Sequence, residues 1–218
     1  MPLPASSART SRLARLRGLY AIVGGDDPLA QAQAALDGGA AIIQLRVKER
    51  LAGEVLELAS RLVALARGRA LVIVNDRADL AVLAGADGVH VGDEDLPVDA
   101  ARAVVGPDLL VGRSTRTLDD GLAALAGGAD HVGFGPVFAT ATKRIEAAPR
   151  GLAMLAEVSA RLGAPVVAIG GIGLDRIGEV AAAGAAAAAV IGALFDGPDP
   201  RRRAEALAAA FAAGRAGA

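Results

Sequence analysis

The chain has 218 residues, of which 53% are hydrophobic and only 2% aromatic, and its formal net charge at pH 7 is −1. This balance excludes the strongly basic surface that nucleic acids or anionic membranes attract, and the absence of cysteine excludes disulfides, zinc–thiolate sites and iron–sulfur clusters. A core of Ala, Val, Leu and Ile favours helices packed closely on parallel strands.

The first seventeen residues contain four arginines and no acidic residue. They lack the apolar stretch of a secretory signal, so we expect a flexible or helical N-terminal extension over 1–17 and one domain over 18–218. The alanine-rich segment 181–191 is too short to span a membrane. We therefore expect a cytoplasmic protein that binds neither nucleic acid nor membrane. The sequence leaves open whether it forms a homodimer.

One sequence pattern is repeated four times along the chain: the end of a helix, a glycine that closes it, and a short apolar strand. Four further apolar strands alternate with these repeats, and helical patterns separate the strands. The repeats are LDGGAAIIQLR, LAGADGVHVG, LAGGADHVGFG and AAAGAAAAAVIG. The other strands are LYAIVG, LVIVND, LLVGRS and VVAIGG. The predicted helices include 28–36, 54–66, 78–83, 118–126, 151–162 and 174–183.

Eight strands that alternate with helices predict an α/β protein with a single (β/α)8 barrel, the TIM-barrel fold. A doubly wound open sheet is the alternative. It usually has fewer strands and carries a glycine-rich fingerprint after the first one, which the segment AIVGGDDP does not match.

The carboxyl ends of the strands carry the active site in this fold. The second strand ends in IIQLRVK, where Gln44, Arg46 and Lys48 are two residues apart and are expected to face the same way. If that face is the barrel interior, two cations need a partner there, and an anionic ligand would supply it. Salt bridges to neighbouring acids are the alternative.

Acidic residues follow the next two strands. The third strand ends in Asn75 and Asp76, and the fourth runs through His90 into GDEDLP. Asp76 and one acid of the second group could share a hard divalent cation such as Mg²⁺, whose shell a substrate phosphate would complete. Helix capping or a turn explains each acid equally well. His90 fits the alternation of its strand and is interpreted as a packed histidine.

Groups suited to phosphate follow the last four strands. Ser114, Arg113 and Arg116 follow the fifth strand, and a helix cap is the alternative role for the serine. The loop GFGPVFATATKR after the sixth strand supplies hydroxyls and a lysine, or is an ordinary polar loop. Glycine turns in AIGGIG and AVIGAL would let backbone N–H groups approach a phosphate. Two phosphate sites would suit a reaction that joins two phosphorylated molecules.

The segments IQLRVKE, IVNDRADLA, ADGVHVGDEDLP, GRSTRT, GFGPVFATATK and VAIGGI, in this order, closely resemble the thiamine phosphate synthase family over residues 19 to about 194. The resemblance implies a TIM barrel that condenses a hydroxymethylpyrimidine diphosphate with a thiazole phosphate, using Mg²⁺ and releasing pyrophosphate. Its partners would be these small phosphorylated substrates.

Site residues are carried over from the family by position. The resemblance implies that the pyrimidine diphosphate contacts Gln44, Leu45, Arg46, Val47, Lys48, Asn75, Ser114 and Lys143, of which Arg46, Lys48, Ser114 and Lys143 would be catalytic. It implies that Asp76 and Asp95 bind Mg²⁺, and that Thr140, Ala141, Thr142, Gly170, Gly171, Ile191 and Gly192 bind the thiazole phosphate.

Three residues depart from the family pattern. Asp93 stands where glutamine is common, Arg116 where histidine is common, and Gly192 where serine is usual. Asp93 places an extra negative charge beside the metal, so the metal acid could be Asp93, Glu94 or Asp95. Two alternative functions follow from the resemblance: a thiazole tautomerase-like isomerase, and a non-catalytic paralogue that binds thiamine phosphate. Tautomerases typically lack the second metal acid and have a histidine near position 116, which favours the synthase.

Overall fold

The computed structural model describes residues 6–140 and 148–217. Its strands are β1 (Gly18–Val23), β2 (Ile42–Leu45), β3 (Leu71–Asn75), β4 (Gly88–Val91), β5 (Leu110–Thr115), β6 (His131–Phe134), β7 (Val166–Ile169) and β8 (Ala187–Val190). Each strand pairs in parallel with its neighbours in the chain, and β1 pairs with β8, so the sheet closes into a barrel. The prediction of a (β/α)8 barrel is confirmed.

Helices follow the strands around the outside of this barrel. Within the described ranges they are α1 (Ser7–Arg15), α2 (Pro28–Asp37), α3 (Ala52–Ala66), α4 (Ala78–Leu83), α5 (Val98–Val105), α6 (Leu118–Ala126), α7 (Gly151–Arg161), α8 (Ile177–Ala182), α9 (Gly192–Phe195) and α10 (Pro200–Ala216). The sequence prediction placed the start of α8 three residues too early and did not include α5, α9 or α10.

The glycines of the repeated sequence pattern have the predicted backbone conformation. Gly39, Gly85, Gly128 and Gly184, one from each repeat, have φ values between 68° and 102°. This left-handed region favours glycine because a Cβ atom is strained there. Each repeat therefore turns a helix end back into the next strand.

Alternate residues of the strands fill the barrel. The inner cluster consists of aliphatic side chains and one tyrosine, and polar side chains lie above it on the same inward-facing positions. The inner apolar residues are Leu16, Tyr20, Ile22, Ile42, Leu71, Ile73, Leu110, Val167, Ala187 and Ala189. The barrel is thus a packed core with its polar residues toward the carboxyl end, which we call the mouth.

Helix α1 covers the opposite end of the barrel. Leu16, just after the helix, is 1% exposed and packs into the inner cluster. Arg12 Nε donates to Asp87 Oδ1 at 2.9 Å, and Asp87 Oδ2 accepts the Val72 N–H at 2.9 Å. An arginine of the basic N-terminus therefore pairs with an acid at the foot of β4.

Small residues allow close contact between helices α8 and α10. A Cβ atom at Gly214 would lie 2.2 Å from the Gly178 carbonyl oxygen, so only glycine permits this approach. No helix within the described ranges is long and apolar enough to cross a membrane.

Candidate active site

Two carboxylates and an ammonium group meet at the mouth. Asp76 directly follows β3, Asp95 lies in the loop after β4, and their side chains share a hydrogen bond. Lys48 Nζ, from the loop after β2, is 3.5 Å from Asp76 Oδ2. The Gly92 N–H donates to Asp95 Oδ2 at 2.7 Å. Three loops therefore bring these charged groups to one place.

The backbone of Asp76 has an uncommon conformation. Its φ is 64°, a left-handed value that few residues other than glycine adopt. The Asp76 N–H donates to the His90 carbonyl oxygen at 2.8 Å, which ties this turn to β4. Backbone strain of this kind concentrates at functional sites, where the surrounding structure maintains it.

The two carboxyl groups differ in their pKa. Burial, with the hydrogen bond and the negative charge of Asp95, raises the pKa of Asp76 to about 6, although Lys48 acts in the opposite direction. Burial also acts to raise the pKa of Asp95, but the hydrogen bonds of Asp76 and Gly92, with nearby cations, outweigh it and lower that pKa. Two carboxylates this close repel each other when both are ionised, and a shared cation relieves the repulsion.

The donor set fits Mg²⁺. Magnesium prefers oxygen ligands, usually takes only one or two carboxylates from the protein, and completes its shell with water and substrate phosphate. Asp76 and Asp95 supply two such carboxylates in mutual contact. Across residues 6–140 and 148–217, no group of three or more His, Asp or Glu side chains forms a metal site.

Asp93 has different partners. Its Oδ1 is 3.1 Å from Arg113 Nη2, and its Oδ2 is 2.5 Å from Arg116 Nη1. Arg113 also donates to the Gly92 carbonyl oxygen. Asp93 and Arg116, which both depart from the family pattern, therefore pair with each other. Two guanidinium groups balance the charge of Asp93, which favours Asp95 as the metal acid.

Some of the other residues predicted around the pyrimidine line a cavity beside Asp76. Gln44 is buried inside the barrel, where its Nε2 donates to the Tyr20 hydroxyl at 2.7 Å. Because β2 ends at Leu45, Arg46 and Lys48 lie in the loop beyond it, and strand alternation does not determine their direction. A cavity of about 270 Å³ is lined by Leu45, Val47, Lys48, Arg50, Val55, Asn75, Asp76 and Arg77.

Ser114 faces the barrel interior near the end of β5. Its Oγ is 3.0 Å from His90 Nε2, and the His90 and His131 ring centroids are 6.0 Å apart. His131 is fully buried, and neither ring nitrogen has a hydrogen-bond partner among the described residues. Burial, and to a smaller extent the electrostatic effect of the neighbouring His90, lowers the pKa of His131 to about 3.

The loop after β6 packs onto the turn after β7. Phe138 N–H donates to the Gly170 carbonyl oxygen at 3.0 Å, and a Cβ at Gly171 would lie 2.3 Å from the Ala139 carbonyl oxygen. Glycine is thus required at 171 by this contact within the chain. Thr140 is half-buried at the end of the described loop. Ala141, Thr142 and Lys143 lie outside the described residues.

The turn after β8 contains the last two predicted residues. Ile191 precedes α9, and Gly192 is its first residue. A Cβ at Gly192 would lie 2.3 Å from Asp196 Oδ2, so a serine here would displace that carboxylate. Glycine at position 192, where the family usually has serine, therefore leaves room for the Asp196 carboxylate.

The structure brings most predicted residues to one end of the barrel, in loops that follow different strands. No local pattern in the sequence identifies Tyr20 as the partner of Gln44 or His90 as the contact of Ser114. The alternation of Gly88 with His90 on β4 is a signal that His90 faces inward, but it does not name its partner.

A closed (β/α)8 barrel with paired carboxylates and cations at its mouth defines a TIM-barrel enzyme. The family model described as thiamine monophosphate synthase matches residues 19–194. The chain belongs to this family.

Individual relatives agree with the family match. A thiamine-phosphate synthase of Anaeromyxobacter dehalogenans is 63% identical over 216 residues, 99% of this chain and 97% of the relative. One from Myxococcus xanthus is 49% identical over 83% of this chain and 84% of its own. The solved thiamine phosphate pyrophosphorylase of Pyrococcus furiosus has a TM-score of 0.85 and 34% identity, covering 92% of this chain and 98% of that one.

Proposed function

We propose that the chain forms thiamine phosphate from 4-amino-2-methyl-5-(diphosphooxymethyl)pyrimidine and 4-methyl-5-(2-phosphooxyethyl)thiazole, with release of pyrophosphate. Family membership and the 63% identity to a thiamine-phosphate synthase support this function. The observation that carries the mechanism is the contact of Asp76 with Asp95 beside Lys48.

The reaction replaces a C–O bond with a C–N bond. The bond between the pyrimidine methylene carbon and the diphosphate breaks first, and its electron pair leaves with the diphosphate. The electron-rich aminopyrimidine stabilises the resulting cation until the thiazole nitrogen attacks it. Fixed positive charge around the departing oxygens lowers this barrier, so the site needs cations and hydrogen-bond donors rather than a nucleophile.

The side chains divide this work between them. Asp76 and Asp95 would hold Mg²⁺, which when bound neutralises part of the diphosphate charge. The proposed diphosphate contacts are Arg46, Lys48, Ser114 and Lys143; the proposed pyrimidine contacts are Gln44, Leu45, Val47 and Asn75; and the proposed thiazole phosphate contacts are Thr140, Ala141, Thr142, Gly170, Gly171, Ile191 and Gly192.

A pyrophosphate-release assay tests this function. Purified protein with both substrates and Mg²⁺ should form thiamine phosphate and pyrophosphate in equal amounts. Asp76→Asn should lower kcat at least about 100-fold, because the lost ligand removes several kcal/mol of charge stabilisation. Asp37→Asn, a matched change in the exposed Asp37–Arg69 ion pair away from the mouth, should stay within about twofold. Full activity in Asp76→Asn would contradict the assignment.

The same reagents separate the alternative functions. A thiazole tautomerase would interconvert thiazole isomers without Mg²⁺ or the pyrimidine diphosphate. A non-catalytic paralogue would bind thiamine phosphate in calorimetry without any turnover. Either result, in place of pyrophosphate release, would replace the synthase assignment.

Cellular location and assembly complete the proposal. We expect a cytoplasmic enzyme that acts on small phosphorylated substrates, and the sequence leaves open whether it forms a homodimer. Cell fractionation tests the location, and light scattering on the purified protein determines the oligomeric state.

A further inference from the structure

Ser114 and His90 contact each other inside the barrel, just beneath the mouth. Ser114 Oγ is 3.0 Å from His90 Nε2. His90 pairs in register with Gly112, which lies two residues before Ser114 on β5. The imidazole therefore lies one layer deeper than the serine and contacts it from the side away from the mouth.

Close contacts hold the His90 ring in this orientation. A Cβ at Gly112 would lie 2.6 Å from His90 Nδ1, and a Cβ at Gly133 would lie 2.9 Å from His90 Cε1. The His131 ring packs nearby at 39° to it. The glycines of β5 and β6 make the space that the ring fills, which leaves it little freedom to rotate and keeps Nε2 facing Ser114.

The direction of this hydrogen bond decides what Ser114 can offer a ligand. A hydroxyl group has one hydrogen to donate and two lone pairs to accept with. If Nε2 accepts, that hydrogen is used inside the barrel, and Oγ presents lone pairs to the mouth. If Nε2–H donates, the hydroxyl hydrogen is available to an anion at the mouth.

We propose that His90 is a positioning residue: its Nε2–H donates to Ser114 Oγ and so directs the serine hydroxyl hydrogen toward the departing diphosphate. This rests on the proposed function, in which Ser114 contacts the diphosphate, and adds the group that orients it. His90 acts through Ser114 and needs no contact with substrate. The requirement is for an N–H donor at this position, not for a titrating group.

Two substitutions at position 90 distinguish the effect of the N–H donor from the effect of the side chain's shape. His90→Leu removes the donor and should lower kcat about 10- to 100-fold, the loss expected for a hydrogen bond to a charged group. The KM for the pyrimidine diphosphate should stay nearly unchanged, because the lost contact strengthens only as the diphosphate leaves. His90→Gln keeps an amide N–H donor and should recover most of this activity.

A double-mutant cycle tests whether His90 acts through the serine. In the Ser114→Ala background the target of the hydrogen bond is absent, so adding His90→Leu should change kcat less than about twofold. His131→Leu alters the same layer of the barrel without touching the Ser114 contact and should stay within about threefold of wild type. Circular dichroism and thermal unfolding check that each variant folds.

Nuclear magnetic resonance reads the tautomer directly. The chain has only two histidines, so a long-range ¹H–¹⁵N spectrum of histidine-labelled protein contains two imidazoles, and His131→Leu assigns them. We expect the Nε2–H tautomer for neutral His90. An Nδ1–H tautomer, or fully additive losses in the cycle, would overturn the proposal. A wild type that makes no thiamine phosphate would instead reject the proposed function, while the spectrum would still decide the hydrogen-bond direction.

Discussion

Single residues at the mouth have roles that depend on their partners more than on their type. Asp93 and Asp95 are carboxylates in the same short loop. Both oxygens of Asp93 contact guanidinium groups of the β5 region, whereas Asp95 shares a hydrogen bond with Asp76. The free energy of an exposed ion pair is small, so the Asp93 pairs mainly balance charge.

This difference predicts how the two acids affect metal binding. Asp95→Asn should weaken Mg²⁺ binding, measured by calorimetry with pyrophosphate present, by about 10- to 100-fold or more. Asp93→Asn should weaken it less than about fivefold, because only the exposed ion pairs are lost. A larger effect from Asp93→Asn than from Asp95→Asn would assign the metal to Asp93.

Among the secondary-structure elements, α1 lies outside the repeating strand–helix order but contributes to the core. Leu16 is 1% exposed within the inner cluster, and Arg12 anchors the helix to Asp87. The helix thus replaces water at the end of the barrel opposite the mouth. The hydrophobic contribution of one fully buried leucine is about 1.5 to 3 kcal/mol.

Leu16→Ala should therefore lower the free energy of unfolding by about 2 to 5 kcal/mol, since it leaves a cavity in the barrel core. Urea denaturation measures this loss. Leu83→Ala is the matched control: Leu83 is 68% exposed, and its loss should cost less than about 0.5 kcal/mol. Equal losses in the two variants would mean that α1 does not seal the core.

The secondary-structure elements could be predicted from the sequence better than the contacts between them. Glycine positions and apolar runs identified the eight strands because they act locally. The spacing of Val98, Ala101, Arg102 and Val105 on one face of α5 is a helical signal that the prediction did not use. By contrast, Asp93 and Arg116 are 23 residues apart in two loops, so their pairing depends on the closed barrel and has no local pattern.

Across the whole molecule, buried His131 couples folding to pH. Burial lowers its pKa to about 3, from an ordinary value of 6.5. Between these values the unfolded chain binds one proton more than the folded chain does, so stability rises with pH. Above pH 6.5 the burial of neutral His131 costs no free energy of unfolding through proton binding. As pH falls from 6.5 toward 3, the free energy of unfolding decreases progressively.

His131→Leu should remove this part of the acid sensitivity. The free energy of unfolding of the wild type should fall more steeply below about pH 6.5 than that of the variant, by about 1.4 kcal/mol per pH unit at most. Urea denaturation at several pH values measures both slopes. The carboxylates titrate in both proteins, so the difference between the slopes reports His131. Parallel curves would show that position 131 does not bind a proton on unfolding.

Closure of the barrel by β1 and β8 has a consequence for synthesis on the ribosome. Register pairs run from Gly18 with Ala187 to Ala21 with Val190, so one edge of the first strand has no partner until β8, the last of the eight strands, has been synthesised. A nascent chain that stops earlier exposes an open sheet edge, which invites pairing with other chains. Strand β8 is therefore as necessary for solubility during synthesis as for the finished barrel.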